Sequence, residues 1–138
     1  MTTRGERNND PLNIDRTQID WEGDDCPQVD PRFIDFVDAV WCYRVAARIV
    51  RRHAAVRNTI ALIVTSWAPG TENDTEAYIA DVSARTGLGR DVPLNITREV
   101  GDPCDLVRLF TAMTWHEDGE CIYAPEVIQH GLDLEITA

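Results

Sequence analysis

Apolar residues recur at helical spacing in five stretches of the chain, and the polar residues between them carry the signals that start and stop helices. Val40, Trp41, Val45, Ile49 and Val50 fall near one face of a helix expected over about 39–52, with Asp38 placed to cap it. Arg44, Arg48, Arg51 and Arg52 lie nearer the opposite side. Ile60, Ile63, Val64 and Trp67 repeat at i, i+3, i+4 and i+7 behind Thr59, and Ala68-Pro69-Gly70 ends that pattern. Asp74 predicts the start of a third helix that turns Tyr78, Ile79 and Val82 inward and stops at Gly87. Asp102-Pro103 supplies a cap and an N1 proline for a fourth, through about 115. Leu106, Val107, Leu109, Phe110, Met113 and Trp115 make it apolar over most of its circumference, so it is expected to be the central one. A last short helix is expected from about Pro125 to Gly131.

The first 30 residues show little periodicity and are rich in Asn, Asp, Gly and Pro, which predicts an irregular segment ahead of a helical core over 31–138. Short extended pieces are expected around 12–14 and 32–36. The expected fold is mainly α, with five or so helices and at most a short β element. A length of 138 residues suits one domain, and 43% hydrophobic residues suffice for one core.

Charge narrows the function classes. With 24 acidic against 13 basic residues the formal net charge is −11, a repulsive field for nucleic acid and anionic membranes. The arginines at 44, 48, 51, 52 and 57 form a local exception, read as a solvated helix face. Residues 81–90 resemble the opening of a helix-turn-helix, but Pro93 would break the recognition helix. No partner from nucleic acid or membrane is expected. No apolar run reaches the roughly 18 residues of a membrane span, and the polar start is unlike a signal peptide, so a chain made in the cytoplasm is expected. Cys26, Cys42, Cys104 and Cys121 lack metal-ligand spacing and read as reduced thiols, and His53, His116 and His130 are scattered. Neither metal nor cofactor is implied.

Four stretches carry a resemblance. They are RGERNNDPLNIDRT (4–17) with Trp21 and Gly23, DPRFIDF (30–36), TSWAPGTENDTEAYI (65–79), and WHEDG with Tyr123 (115–123). In order and spacing the chain resembles the lysozyme-like proteins that tailed bacteriophages carry in their virions. The resemblance implies an α+β lysozyme-like domain, located in the virion on tail or capsid, that acts on peptidoglycan glycan strands alongside other virion proteins. This chain departs from the family's pattern at Asp10 and Asp118, where Asn is usual, and at Gly70, where Pro is usual. It also has Cys42-Tyr43-Arg44-Val45 where Gly-Ile-Arg-Ala is common, which puts side chains where close backbone approach and an open groove are expected.

A peptidoglycan glycosidase needs a carboxyl group held protonated at neutral pH by an apolar setting. Glu117 is the first candidate, because it closes the most apolar helix next to Trp115 and a helix C-terminus disfavours negative charge. By analogy with flagellar-type glucosaminidases and lytic transglycosylases, where a helix ending in Glu leads into an Asn-rich turn, WHEDG is expected to meet NNDPLNI in space. The two pieces stand here in reversed order, as a circular permutation would leave them. Glu6, beside the possible sugar-binding Asn8, Asn9 and Asn13, is the second candidate, and Glu72 the third. Trp21, Trp67, Tyr78, Trp115 and His116 are candidate substrate contacts, although Trp67 and Tyr78 fit the core pattern better. Two alternatives stay open: a non-catalytic structural or decoration protein of the virion, and an acidic inhibitor that imitates nucleic acid.

Overall fold

The computed structural model describes residues 2–25, 27–70, 74–97, 99–101 and 104–137. It is mainly helical. The elements are α1 (Arg4–Arg7), α2 (Ala39–Arg52), α3 (Ile60–Trp67), α4 (Thr75–Thr86), α5 (Leu106–Asp118) and α6 (Pro125–Thr137). Local chemistry accounts for most of these bounds. Asp38, Thr59 and Asp74 each accept a backbone N–H of the first turn of α2, α3 and α4. Gly87 and Gly119 close α4 and α5 in the left-handed conformation, at φ 73° and 77°. No helix among the described residues is long and apolar enough to cross a membrane.

Helix α1 was not expected. Its signal is the Thr-x-x-Glu spacing of Thr3 and Glu6: each backbone N–H donates to the other's side chain at 3.1 Å, a capping box. The strand expected over 32–36 is reduced to isolated antiparallel bridges, Asp15 to Phe33 and Asp24 to Phe36. The Asp30 carboxylate accepts the N–H groups of Arg32 and Phe33 at 2.8 Å, which folds this stretch into a turn instead. Helix α5 begins at Leu106, later than the expected cap, and runs on to Asp118. Asp102 and Pro103 themselves lie outside the described residues, as does Cys26. Asp105 does not cap α5 with its side chain, which accepts the N–H of Asn95 at 2.7 Å.

Gly131 does not end α6. The helix continues to Thr137 because this glycine serves packing: a Cβ there would lie 2.7 Å from Tyr43 Cβ, 2.7 Å from the Val40 carbonyl oxygen and 2.9 Å from the Arg44 nitrogen. The close approach sought at Cys42-Tyr43 is thus made from the opposite helix. Cys42 and Tyr43 are fully buried on α2, with the Cys42 thiol on the Asp10 carboxylate at 3.4 Å and the Tyr43 hydroxyl 2.8 Å from Thr114 Oγ1. They belong to the core, and the expected narrowing of a groove by these two side chains does not occur.

The solvated arginine face also needs correction, because Arg51 is buried. Its guanidinium donates to the Thr97 carbonyl at 2.6 Å and to the Leu132 carbonyl at 3.2 Å, and lies 4.0 Å from Glu135. Two carbonyls and a carboxylate offset the cost of burying the charge. Helix α5 is central, with Leu106, Leu109, Phe110 and Met113 fully buried, but Trp115 is exposed on its outer side. Leu12, Ile14, Ile34 and Phe36 of the N-terminal segment enter the same core. That burial pins the Asn-rich turn against the C-terminal end of α5.

Candidate active site

The turn and the helix end meet through a direct bond. Asn13 Nδ2 donates to Glu117 Oε1 at 3.1 Å across 104 residues of chain, and the Tyr78 hydroxyl donates to Glu117 Oε2 at 2.9 Å. Asn13 sits at φ 50°, a left-handed conformation that Asn tolerates better than most residues, with buried Leu12 and Ile14 on either side. Tyr78 is held from the far side: the His116 ring stacks on it at 3.9 Å between centroids, and His116 Nδ1 is 2.9 Å from Asp81. The Glu117 carboxyl is therefore fixed by groups that are themselves fixed.

Burial raises the Glu117 pKa from its ordinary value, and the bonds from Asn13 and Tyr78 offset only part of that rise. Such a group can hold a proton and still keep a defined direction. Glu117 lines a small cavity of about 110 Å³ with Asn13, Asp15, Arg32, Phe33, Trp67 and Ala68. Asn13, Asp15 and Trp67 also line a larger groove of about 290 Å³ that continues to Trp21. The two hollows thus adjoin. Trp67 is half-buried, with its Nε1 donating to the Leu12 carbonyl at 3.1 Å. Asp15 is the second carboxylate of the cavity, but it is exposed and paired with Arg32 at 2.7 Å.

The other sequence candidates are placed differently. Asn8 is buried and donates to Asp30 at 3.0 Å, while Asn9, at φ 51°, donates to the Phe36 carbonyl at 2.9 Å. Both hold the N-terminal segment together. Glu6 is engaged in the capping box, beside Glu120 and Asp118. Tyr78 is buried, donates to Glu117 and has its ring face covered by His116. Trp115 is exposed with the Arg85 guanidinium 4.8 Å over its ring and lines a hollow separate from that of Glu117, and His116 braces Tyr78. Glu72 lies outside the described residues.

Sequence reasoning missed two acids behind the site. Asp10 is fully buried: its Oδ1 accepts the Ile14 N–H at 2.9 Å, and its Oδ2 has no partner among the described residues. Desolvation, with the charges of Asp118 and Glu117 nearby, pushes Asp10 up to about 8. Asp118 is pushed up to about 7, again chiefly by burial. Both pack on Gly5, where a Cβ would meet Asp118 Oδ1 and the Asp10 carbonyl. Their only signal in sequence was that each stands where the resembling family has Asn.

These shifts predict how stability responds to pH. The folded chain keeps protons on Asp10 and Asp118 that the unfolded chain releases near pH 4, so stability falls as pH rises from about 4 to about 8. Asp30, held far below the usual range by Arg4, acts oppositely and costs stability only below about pH 4. The thermal midpoint should therefore be higher at pH 5 than at pH 8, and Asp10→Asn should flatten the difference. A midpoint that rises from pH 5 to pH 8 contradicts the placement of these acids.

No protein-family model matches the chain. Over 97 residues it is 42% identical to Protein P5 of Pseudoalteromonas phage PM2, a match that takes in 67% of this chain and 61% of that protein. The chain is related to a phage protein. It spans about three fifths of that relative's length, and the relative's name states no activity.

Proposed function

We propose that the chain is a phage virion component whose groove cleaves the glycan strands of peptidoglycan, with Glu117 as the general acid. One observation carries the reading: a half-buried carboxyl at the end of the central helix, its pKa raised by burial, is aimed by Asn13 and Tyr78 into a hollow that joins an aromatic-lined groove. In the proposed step Glu117 gives its proton to the glycosidic oxygen as the C–O bond breaks, and the leaving sugar departs as an alcohol. The acetamido oxygen of the cleaved sugar bonds to C1 as the glycosidic bond breaks, as in substrate-assisted glycosidases, and water then opens that ring at C1 and returns a proton to Glu117. Trp21 and Trp67 offer ring faces to the sugars. The similarity to a phage protein supports the virion setting, and other virion proteins are its proposed partners there.

A second reading is favoured by size. The hollow at Glu117 is about 110 Å³, below the roughly 300–1,000 Å³ usual for ligand sites, which suits a non-catalytic virion protein in which Glu117 only ties the turn to α5. Release of soluble fragments from purified peptidoglycan separates the two. The catalytic reading expects release by the unsubstituted chain, and by Glu6→Gln as well, since Gln preserves the capping box. An inactive unsubstituted chain overturns it.

A further inference from the structure

The end of the groove away from Glu117 carries basic side chains. Arg48, Arg52 and His53, from the last turns of α2, line it opposite Ile19 and Trp21. In this chain of net charge −11, Arg4, Arg32, Arg44, Arg85 and Arg90 pair with carboxylates, while Arg7, Arg57 and Arg108 donate instead to oxygens of Thr2, Ser66 and Thr86. Arg48 and Arg52 make no ion pair among the described residues, nor does Arg16 outside this groove, although Arg48 also lines an adjoining hollow with Asp20, Glu22 and Glu135. A favourable interaction with the helix dipole accounts for Arg52 in the last turn but not for Arg48, a turn earlier. The carboxylate that lines this groove, Asp15, is held by Arg32. Two uncommitted guanidinium groups thus face an apolar hollow with tryptophans at 21 and 67, and that hollow shares Asn13, Asp15 and Trp67 with the Glu117 cavity.

We propose that Arg48 and Arg52 form a carboxylate-binding subsite at the far end of the glycan groove, selecting strands that carry N-acetylmuramic acid over neutral N-acetylglucosamine polymers. The proposal rests on the reading of this groove as a glycan site. A muramic residue differs from its neighbour by a lactyl ether whose carboxyl is charged when no peptide is attached and otherwise leads into a peptide that bears carboxylates. Guanidinium groups bind such carboxylates with paired, charge-assisted bonds. The tryptophans give the sugar rings a surface that does not depend on charge.

The test measures binding alone, with Glu117→Gln in every protein to prevent turnover, by calorimetry or by the fluorescence of the groove tryptophans. The ligands are peptide-free peptidoglycan strands, with free lactyl carboxylates, and neutral chitooligosaccharides of the same length. The expected result is roughly tenfold tighter binding of the acidic strand, a preference that shrinks with added salt. Arg48→Gln with Arg52→Gln removes the preference and leaves the neutral ligand's affinity in place; both side chains are exposed, so the thermal melt falls by no more than roughly 4 °C, from the lost dipole interaction of Arg52. Equal binding of the two ligands, no binding of either, a preference that survives the double substitution, or loss of both ligands alike overturns the proposal. Selective binding by a chain that proves inactive on peptidoglycan leaves the subsite standing and refutes only the catalytic reading.

Discussion

Replacing Gly131 with alanine is expected to lower the stability of the chain by roughly 2 kcal/mol, the balance of overpacking against a better helix former. The added methyl would fall 2.7 Å from the Val40 carbonyl oxygen and 2.9 Å from the Arg44 nitrogen. Both are backbone atoms of α2, which cannot rotate aside as a flexible side chain would, so α2 and α6 must separate. Separation loosens Tyr43, Ile128 and Leu132, all fully buried, and the reach of Arg51 to the Leu132 carbonyl. A fall of the thermal midpoint by roughly 8 °C is the expected measure. Gly119→Ala provides the contrast: a Cβ there meets nothing within 4 Å, and the cost is the left-handed backbone alone, about 1 kcal/mol. A Gly131→Ala protein as stable as its parent contradicts the close α2–α6 packing.

Gly131 also marks where reading the sequence fails. A glycine near the end of a helical pattern can be a stop or a place of close packing, and only the partner helix decides which. The local devices were legible for the opposite reason: Asp38, Thr59, Asp74, Gly87 and Gly119 act on backbone groups within a few residues of themselves. The capping box of Thr3 and Glu6 was equally local and was overlooked because the surrounding composition reads as loop. Arg51 was misread because its partners, the carbonyls of Thr97 and Leu132, lie 46 and 81 residues away.

The candidate site divides along the same line. That Glu117 would meet the Asn-rich turn came from analogy, and the bond from Asn13 bears out that juxtaposition. Within the turn, periodicity could not separate Asn13, which faces the carboxyl, from Asn8 and Asn9, which fasten the N-terminal segment. Tyr78 carries the pattern of a core residue and is one; that its hydroxyl reaches Glu117 depends on how α4 lies along α5. Asp10 and Asp118 each stood out as a departure from Asn, but the packing of the Asp118 carboxyl and the Asp10 backbone on Gly5 is a property of the fold.

Glu117→Gln is the substitution with the largest expected effect on activity, a loss of roughly 10²–10⁴-fold in glycan cleavage, the usual contribution of a general acid. The amide is nearly isosteric and its oxygen can still accept from Asn13 or Tyr78, so the fold should survive while the transferable proton is gone. With the carboxyl removed, Asp10 and Asp118 also lose a neighbouring negative charge. Stability at pH 8 should hold or rise, which separates a chemical role for Glu117 from a purely structural one. Activity should fall as pH rises through the elevated pKa of Glu117, since only the protonated form donates.

The most direct measurement is therefore chromatography of the fragments released from purified peptidoglycan by the unsubstituted chain and by Glu117→Gln at matched concentration and equal folded fraction. The account predicts new glycan ends from the first protein and a loss of at least roughly 10²-fold in the second. Equal release by both proteins, or none from the unsubstituted chain, contradicts it.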